Sequence, residues 1–168
     1  MAMTDPTIIL DHDHVQRKLQ RIAHQLYEQN HEEKTIVLVG VSPRGTTVAT
    51  RIGKLLSEIS PLKAEFVELK LDKDVPLEKP IQLSVDHSHL KDRVVILIDD
   101  VLMSGRTLMH AASFLIKVPL KKLTTVVLVD RLHRTYPIRA DIVGLTLSTT
   151  RQEHISVELG KKDVVYLK

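Results

Sequence analysis

The sequence predicts an α/β fold in which a central, mostly parallel β-sheet is flanked by helices. Three near-continuous apolar runs, residues 35–39, 93–98 and 124–129, have the length and composition of buried strands. Segments with helical periodicity alternate with these runs. Strands that alternate with helices form parallel sheets covered on both faces, so both observations favour the same architecture.

The first half of the chain predicts helix, strand and helix in turn. Residues 11–30 predict a helix because apolar side chains recur at helical spacing and Asp11 or Asp13 can cap its start. Those apolar positions are Val15, Leu19, Ile22, Ala23 and Leu26. The first apolar strand ends at Gly40, and the chain then turns at residues 43–45. A second helix follows, with one apolar face formed by Val48, Ile52, Leu55 and Leu56.

The second half continues the alternation with one long interruption. Residues 64–71 predict a strand in which Glu68 and Lys70 alternate with apolar side chains. Residues 72–92 are polar, contain two prolines, and predict a mobile loop or a hairpin. Residues 106–116 predict a third helix. Three shorter strands are predicted at residues 142–147, 155–159 and 164–167.

The segments that follow the three apolar strands are expected to lie together. They are residues 41–45, 99–107 and 130–139. Parallel sheets bind ligands beyond the carboxyl ends of their strands. We therefore expect the functional site at the edge of the sheet where these three segments meet.

Composition bounds the class of protein. The 168 residues suit a single domain that spans residues 1–168. No apolar run approaches the ~18 residues that cross a bilayer, and the N-terminus lacks the pattern of a secretory signal. With no cysteine in the chain, we expect a cytoplasmic protein without membrane attachment. The net charge of +3 is compatible with phosphorylated ligands or RNA, but 3% aromatic residues disfavour a surface of stacked aromatics.

The segment VVILIDDVLMSGRT, residues 94–107, carries the strongest chemical signal. An apolar strand delivers two carboxylates, Asp99 and Asp100, and a short loop with Ser104 and Gly105 leads into a helix. Free N–H groups at a helix start bind phosphate, while carboxylates accept hydrogen bonds from a sugar diol or hold Mg²⁺ through water. The pattern fits a cradle for ribose 5-phosphate. A strand that ends in a capped loop explains the pattern about equally well.

Two histidine-containing runs invite a metal interpretation. They are residues 11–14, DHDH, and residues 87–89, HSH. Helix capping and loop polarity explain both runs more simply, so we predict no direct protein ligands for a metal. A Walker A loop and a G-x-S-x-G nucleophile motif are both missing from the sequence.

The segment at residues 94–107 resembles the motif that binds 5-phosphoribosyl-1-pyrophosphate (PRPP) in type I phosphoribosyltransferases. The resemblance extends from about Ile9 to Leu167 and includes RIAHQ, residues 21–25, and VDRLHRTYPIRADIVG, residues 129–144. These segments are similar to the branch of the family that combines uracil phosphoribosyltransferase activity with attenuation of pyrimidine operons. The resemblance implies the type I fold, with a hood built from the terminal segments.

The resemblance also implies roles for individual residues. Catalytic roles fall to Asp99, Asp100 and Arg44. The PRPP cradle would comprise Asp99, Asp100, Val101, Leu102, Met103, Ser104, Gly105, Arg106 and Thr107. The pyrophosphate loop would comprise Val41, Ser42, Pro43, Arg44 and Gly45. The base would contact Ile142 and Val143 in the hood, beside Asp130 and Arg131. Mg²⁺ would accompany PRPP and pyrophosphate.

Two segments depart from the family pattern. The flexible loop, about residues 72–92, would close over the site, and in the family it begins with an arginine-containing sequence. Here its start contains Lys70, Asp72, Lys73 and Asp74, so Lys70 or Lys73 would supply the cation. Ile142 stands where an aromatic residue is usual in the hood, which would weaken stacking on the base.

The resemblance implies an RNA-contacting patch as well. Its predicted members are Arg21, His24, His133, Arg134 and Arg139, to which Arg17 or Lys18 could add. A solvated basic helix face explains the same residues without RNA.

Three functions remain open from the sequence. The first is transfer of the phosphoribosyl group of PRPP to uracil, which forms UMP and pyrophosphate, with a possible second role as an RNA-binding regulator. The second is a nucleotide-sensing RNA attenuator with little catalysis. The third is a hypoxanthine or guanine phosphoribosyltransferase. The resemblance implies a homo-oligomer, either a dimer or a tetramer, under each of them.

Overall fold

A computed structural model describes residues 5–168 and contains two β-sheets and three α-helices in that part of the chain. In chain order the elements are β1 (Thr7–Leu10), α1 (His12–Asn30), β2 (Thr35–Val41), α2 (Arg44–Ile59), β3 (Lys63–Lys70), β4 (Gln82–Leu83), a 3₁₀ helix (His87–Leu90), β5 (Val94–Leu102), α3 (Arg106–Leu115), β6 (Lys122–Asp130), β7 (Ile142–Thr146), β8 (Ile155–Glu158) and β9 (Val164–Leu167).

The larger sheet has the strand order β4-β3-β2-β5-β6-β7. Its five longer strands run parallel, and only the short β4 pairs antiparallel, with β3. Helices cover both faces, because consecutive side chains of each central strand point to opposite sides. In β2, for example, Ile36 and Leu38 pack towards α1 and α2, whereas Val37 and Val39 pack towards α3. The predicted fold class is confirmed.

The smaller sheet joins segments that are far apart in the chain. Its antiparallel order is β1-β9-β8. The sequence analysis predicted β8 and β9 but missed β1, which has four residues and two exposed positions at its start. We refer to this three-stranded sheet as the hood. It packs on the larger core through Leu10, Val157 and Val165.

Two other segments differ from the predictions in detail. The long interruption at residues 72–92 contains the hairpin partner β4, in which Leu83 pairs with Leu69, and the 3₁₀ helix. Strand β5 extends to Leu102, so Asp99 and Asp100 lie within the strand and not in the loop after it. None of the helices in residues 5–168 is long and apolar enough to cross a membrane.

One buried carboxylate, Asp163, attaches the hood to both helices of the adjacent face. Asp163 has no exposed surface. Its carboxylate accepts hydrogen bonds from Arg51 in α2, from Gln16 in α1 at 2.5 Å and from the Gly160 N–H at 3.0 Å. Its own N–H donates to Nδ1 of His12 at 2.9 Å. The three donors to the carboxylate together satisfy a charge that would otherwise be costly to bury.

Replacing this carboxylate tests its structural role. We expect Asp163→Ala to lower the free energy of unfolding by about 3–5 kcal/mol, because it leaves the Arg51 guanidinium without its partner in a partly buried site. Urea denaturation measures the change. Glu158→Ala is the control, since Glu158 forms only an exposed, 3.9 Å ion pair with Lys168 and should cost at most about 1 kcal/mol. Equal losses in both variants would contradict the assignment.

Candidate functional site

The carboxyl end of β5 and the N-termini of α2 and α3 border a cavity of about 300 Å³. Of the three segments expected at this edge, residues 41–45 and 99–107 contribute to the lining and residues 130–139 do not. The residues that line the cavity are Arg44, Lys73, Asp74, Asp99, Asp100, Val101, Leu102, Met103, Ser104, Gly105, Arg106, Thr107, Leu108, Val127 and Ile155. All nine residues of the predicted cradle are among them.

Two adjacent carboxylates form the floor of the cavity. Asp99 and Asp100 are 3% and 4% exposed, because they continue a strand whose preceding residues are in the core. Burial, together with the negative charge of Asp100, raises the pKa of Asp99 to about 7. One Asp99 oxygen accepts a hydrogen bond from the Asp100 N–H at 2.8 Å. The pair is therefore a buried acceptor site in which Asp99, with a pKa of about 7, is partly protonated near neutral pH.

Two cations face this pair from other segments. The Lys73 ammonium lies 3.5 Å from Oδ1 of Asp99, and Nη1 of Arg44 lies 3.9 Å from Oδ2 of Asp100. The side chains of Lys73 and Arg44 remain 41% and 60% exposed. The cavity thus has an anionic floor and cationic, solvent-accessible sides, an arrangement that can hold a ligand with both hydroxyl and phosphate groups.

The chain turns sharply between β5 and α3. Gly105 has a φ of +87°, a left-handed conformation that glycine adopts without strain. A Cβ atom at this position would lie 2.8 Å from Cγ2 of Ile138. The turn brings the first N–H groups of α3 and the hydroxyls of Ser104 and Thr107 to the cavity. Such a helix start attracts phosphate through its N–H groups and its dipole.

The predicted pyrophosphate loop, Val41 to Gly45, packs directly against β5. A Cβ atom on Gly45 would lie 2.6 Å from the carbonyl oxygen of Ile98, so the close approach requires glycine. The Ser42 N–H donates to the carbonyl of Leu69 at 2.9 Å. Of the five loop residues, Arg44 is the one that lines the cavity.

The start of the flexible loop lies over the same cavity. Arg106 donates hydrogen bonds to the carbonyls of Lys73 at 2.7 Å and Asp74 at 3.1 Å. Asp72 stabilises the turn by accepting from the N–H groups of Asp74 and Val75. Lys70 instead lies 3.8 Å from Glu68, outside the cavity. Of the two lysines considered from the sequence, Lys73 is the one that reaches the carboxylates.

The placement of Ile142 and Val143 in the hood was wrong, while their contact with a base stays a prediction. Ile142 and Val143 belong to β7 of the larger sheet and not to the hood. Ile142 is 1% exposed and packs in the core, because it pairs with Val126 well before the carboxyl end of β6. The hood residue that lines the cavity is Ile155. Its only signal in the sequence was its place in a short apolar strand, which does not indicate the direction of a side chain.

The predicted RNA residues separate into two groups. Arg21 donates to the carbonyls of Val143 and Gly144, so it lies along the edge strand β7. His24 and Arg139 are exposed. His133 and Arg134 follow β6 and have intramolecular partners, namely the Thr149 carbonyl and the carboxylate of Asp130. Since Arg21, His24 and Arg139 are exposed and His133 and Arg134 are half-buried, the first group is more available to a ligand than the second.

The histidine runs have structural partners. Asp11 caps α1 by accepting from the N–H of His14 at 2.9 Å. His87 stacks on Phe114, and His89 contacts Glu65. Within residues 5–168, no group of three or more potential metal-ligating side chains comes together.

Comparisons with known proteins agree with this geometry. The family model described as phosphoribosyl transferase domain matches residues 6–161. The Bifunctional protein PyrR of Clostridium kluyveri is 39% identical and covers 93% of this chain and 92% of its own. The Bifunctional protein PyrR of Bacillus subtilis is 34% identical, covering 96% and 94%. The crystal structure of hypoxanthine phosphoribosyltransferase from Trypanosoma cruzi superposes with a TM-score of 0.73 at 17% identity, covering 89% and 84%.

The ion pair between Lys73 and Asp99 gives a pH-dependent prediction. The Asp99 pKa is higher in the folded protein than its ordinary value, so this group makes the ligand-free protein less stable as pH rises from about 4 to about 7. Lys73→Met removes the ammonium that opposes the shift. We expect the Asp99 pKa to rise further and the loss of stability to extend to higher pH, as measured by NMR titration of carboxyl carbons and by urea denaturation.

Lys70→Met is the matched control, because its ammonium lies near Glu68. It should leave the Asp99 pKa unchanged. An unchanged Asp99 pKa in Lys73→Met would show that the lysine does not act on the carboxylate pair.

Proposed function

The chain belongs to the phosphoribosyl transferase family, and we propose that it transfers the phosphoribosyl group of PRPP to uracil, forming UMP and pyrophosphate. The observation that carries this proposal is the buried pair Asp99 and Asp100 beside the phosphate-binding turn at Gly105. Its relatives of 34% and 39% identity are named Bifunctional protein PyrR, which supports a pyrimidine substrate. The hypoxanthine enzyme has the same fold, but 17% identity carries no information on the base.

Each part of PRPP has a complementary part of the cavity. The ribose hydroxyls would donate hydrogen bonds to Asp99 and Asp100. The 5′-phosphate would accept from Ser104, from Thr107 and from the N–H groups that begin α3. The pyrophosphate would lie towards Arg44 and Lys73, the two cations that face the carboxylates.

The reaction breaks the bond between C1 of the ribose and the pyrophosphate oxygen. The bond that forms joins C1 to N1 of uracil, which loses its proton, and the electron pair of the broken bond leaves with pyrophosphate. The transition state develops positive charge on the sugar and negative charge on the leaving group. The chain's own contribution is to hold both reactants in line and to stabilise the departing anion through Arg44 and Lys73.

The donor set also fits Mg²⁺. This ion prefers oxygen ligands and retains several water molecules, and two buried carboxylates beside a diphosphate offer such a site. Asp99 and Asp100 would hold the ion through the ribose hydroxyls and water. Bound Mg²⁺ would neutralise charge on the pyrophosphate.

The flexible loop would exclude water from the reacting centre. Arg106 already holds the loop backbone at Lys73 and Asp74, so the segment is tied to the turn that binds the phosphate. Closure over PRPP would protect the developing sugar cation from hydrolysis.

A base panel tests the proposed function. The protein is mixed with PRPP, Mg²⁺ and each of uracil, hypoxanthine and guanine, and pyrophosphate release is measured. We expect release with uracil. In Asp100→Asn the lost charge should reduce kcat/KM for PRPP by at least about tenfold. Pyrophosphate release only with a purine would show that the purine, and not uracil, is the substrate. No release with any base, combined with retained UMP binding, would favour a nucleotide sensor.

A second function, RNA-binding regulation, is favoured by the name of the relatives and by exposed cations near β7. Arg21 and Arg139 flank that strand, and His24 lies one helical turn from Arg21 on α1. A hairpin of a pyrimidine-operon leader would contact these side chains through its phosphates.

We also propose that the chain forms a dimer or tetramer, for which exposed Ile8 and Phe66 offer apolar surface.

Salt dependence tests the RNA proposal. We expect a gel shift of the leader hairpin that weakens steeply between two salt concentrations, because phosphate contacts release counterions. Arg139→Ala should weaken binding and reduce the slope of log affinity against log salt by about 1. Lys63→Ala is the control, because Lys63 is an exposed cation at the start of β3, near the opposite edge of the sheet from β7. It should leave both the affinity for RNA and the salt slope unchanged. Equal effects of the two variants would contradict a defined interface.

A further inference from the structure

Arg131 is a buried arginine at the carboxyl end of β6. It is 5% exposed, and its guanidinium does not pair with a carboxylate. Its nitrogen atoms donate instead to Oγ1 of Thr149 at 2.6 Å, to the carbonyls of Thr150 and Glu153, and to Sδ of Met103 at 3.4 Å. A buried cation that binds backbone carbonyls organises the segments to which they belong.

The acceptors of Arg131 belong to two different walls of the cavity. Met103 lines the cavity from the turn after β5. Thr149, Thr150 and Glu153 belong to the linker between β7 and β8, and Ile155 lines the cavity two residues beyond Glu153. One side chain therefore holds the Met103 wall and the Ile155 wall in a fixed relation.

The backbone at Arg131 and at the residue after it is also held in place by hydrogen bonds. Its N–H donates to the carbonyl of Leu102 at 2.9 Å, which ties its backbone to the end of β5. The next residue, Leu132, has a φ of +64°, and its N–H donates to the carboxylate of Asp130 at 2.9 Å. The backbone beneath the guanidinium thus has a defined course.

The linker is also braced independently of Arg131. His133 contacts the carbonyl of Thr149, and the carboxylate of Glu153 accepts from the N–H of Thr150 at 2.6 Å. These contacts fold the linker on itself. The hydrogen bonds from Arg131 then place the folded linker against the cavity.

The two walls held by Arg131 are apolar, in contrast to the carboxylates, the cations and the turn at Gly105 elsewhere in the lining. Asp99 and Asp100 face the sugar, the turn at Gly105 faces the phosphate, and Arg44 and Lys73 face the leaving group in the proposed function. The apolar side chains of Met103 and Ile155, on the two walls, suit a flat, weakly polar group. A nucleobase has this character.

We propose that Arg131 is a positioning residue that sets the width of the nucleobase side of the cavity by fixing Met103 relative to Ile155. This inference rests on the proposed function only in requiring that the cavity binds a nucleotide. The Arg131 side chain is not among those that line the cavity. Its effect should therefore fall on ligands that contain a base and spare ligands that lack one.

Direct binding separates these two classes of ligand. Calorimetry compares UMP with ribose 5-phosphate, which has the same sugar phosphate but no base. Arg131→Lys keeps the charge but loses the planar fork that reaches several acceptors. We expect the Kd for UMP to rise about tenfold and the Kd for ribose 5-phosphate to stay within about twofold.

A milder pair of variants acts on the acceptor. Thr149→Val removes the hydroxyl that accepts from Nε of Arg131 at almost constant volume, whereas Thr149→Ser retains it. Thr149→Val should reproduce part of the selective loss of UMP binding, and Thr149→Ser should restore it. This rescue distinguishes positioning from a general loss of packing.

Arg51→Lys is the control for a purely structural effect. Arg51 also anchors the hood, through Asp163 and the Gly160 carbonyl, but it contacts neither Met103 nor the linker. It should lower the melting temperature and leave the ratio of the two Kd values unchanged. A similar change of that ratio in Arg51→Lys and Arg131→Lys would overturn the proposal.

Kinetics supply a second readout. With the base that the protein uses, Arg131→Lys should raise the KM for that base about tenfold while the KM for PRPP stays within about twofold. If uracil supports no turnover and a purine does, the proposed substrate is wrong and the split is measured with the purine. If no base is used, UMP and ribose 5-phosphate binding still decide. Equal losses for ligands with and without a base contradict a positioning role.

Discussion

Electrostatic repulsion between two adjacent buried carboxylates is the constraint around which the cavity is built. Asp99 and Asp100 are carried into the interior by a strand that is otherwise apolar, so neither can be hydrated fully. Two cations from separate segments offset the cost of burying these carboxylates. Lys73 comes from the loop after β3, and Arg44 comes from the start of α2. The side chains of Lys73 and Arg44 stay partly exposed, so each can leave its carboxylate and bind a ligand instead. A site that was satisfied entirely by its own residues would have no such capacity.

The parallel sheet and the cradle were predictable because both depend on contiguous sequence. The runs that became β2, β5 and β6 are almost continuously apolar, and the residues from Asp99 to Thr107 carry their chemistry within one contiguous segment. Strand β1 was missed because it is short and is stabilised by β9, about 155 residues away along the chain. Ile142 was misplaced because a buried β-strand and a base-contacting strand have the same apolar composition.

Long-range polar contacts were outside the reach of sequence reasoning for a different reason. Asp163 and Arg51 look like ordinary surface residues in the sequence, since charged side chains are usually exposed. Arg131 was expected near the base, but the sequence did not indicate the partners of its guanidinium. Only the packing of the hood on α1 and α2 brings Asp163 to Arg51, and only the course of the linker brings Thr149 to Arg131. Two contacts thus hold the hood and the linker that leads into it. The contact at Asp163 lies beside the core helices, and the contact at Arg131 lies beside the cavity, where it affects the shape of ligand that can bind.

The protonation of Asp99 has a consequence for the energetics of ligand capture. With a pKa of about 7, this group is about half protonated in the ligand-free protein at neutral pH. A sugar diol that donates to the carboxylate favours its ionised form, so ligand capture expels a fraction of a proton into the solvent. The heat of binding then contains a contribution from the buffer that accepts this proton. In buffers of different ionisation enthalpy, the same contacts would release different amounts of heat.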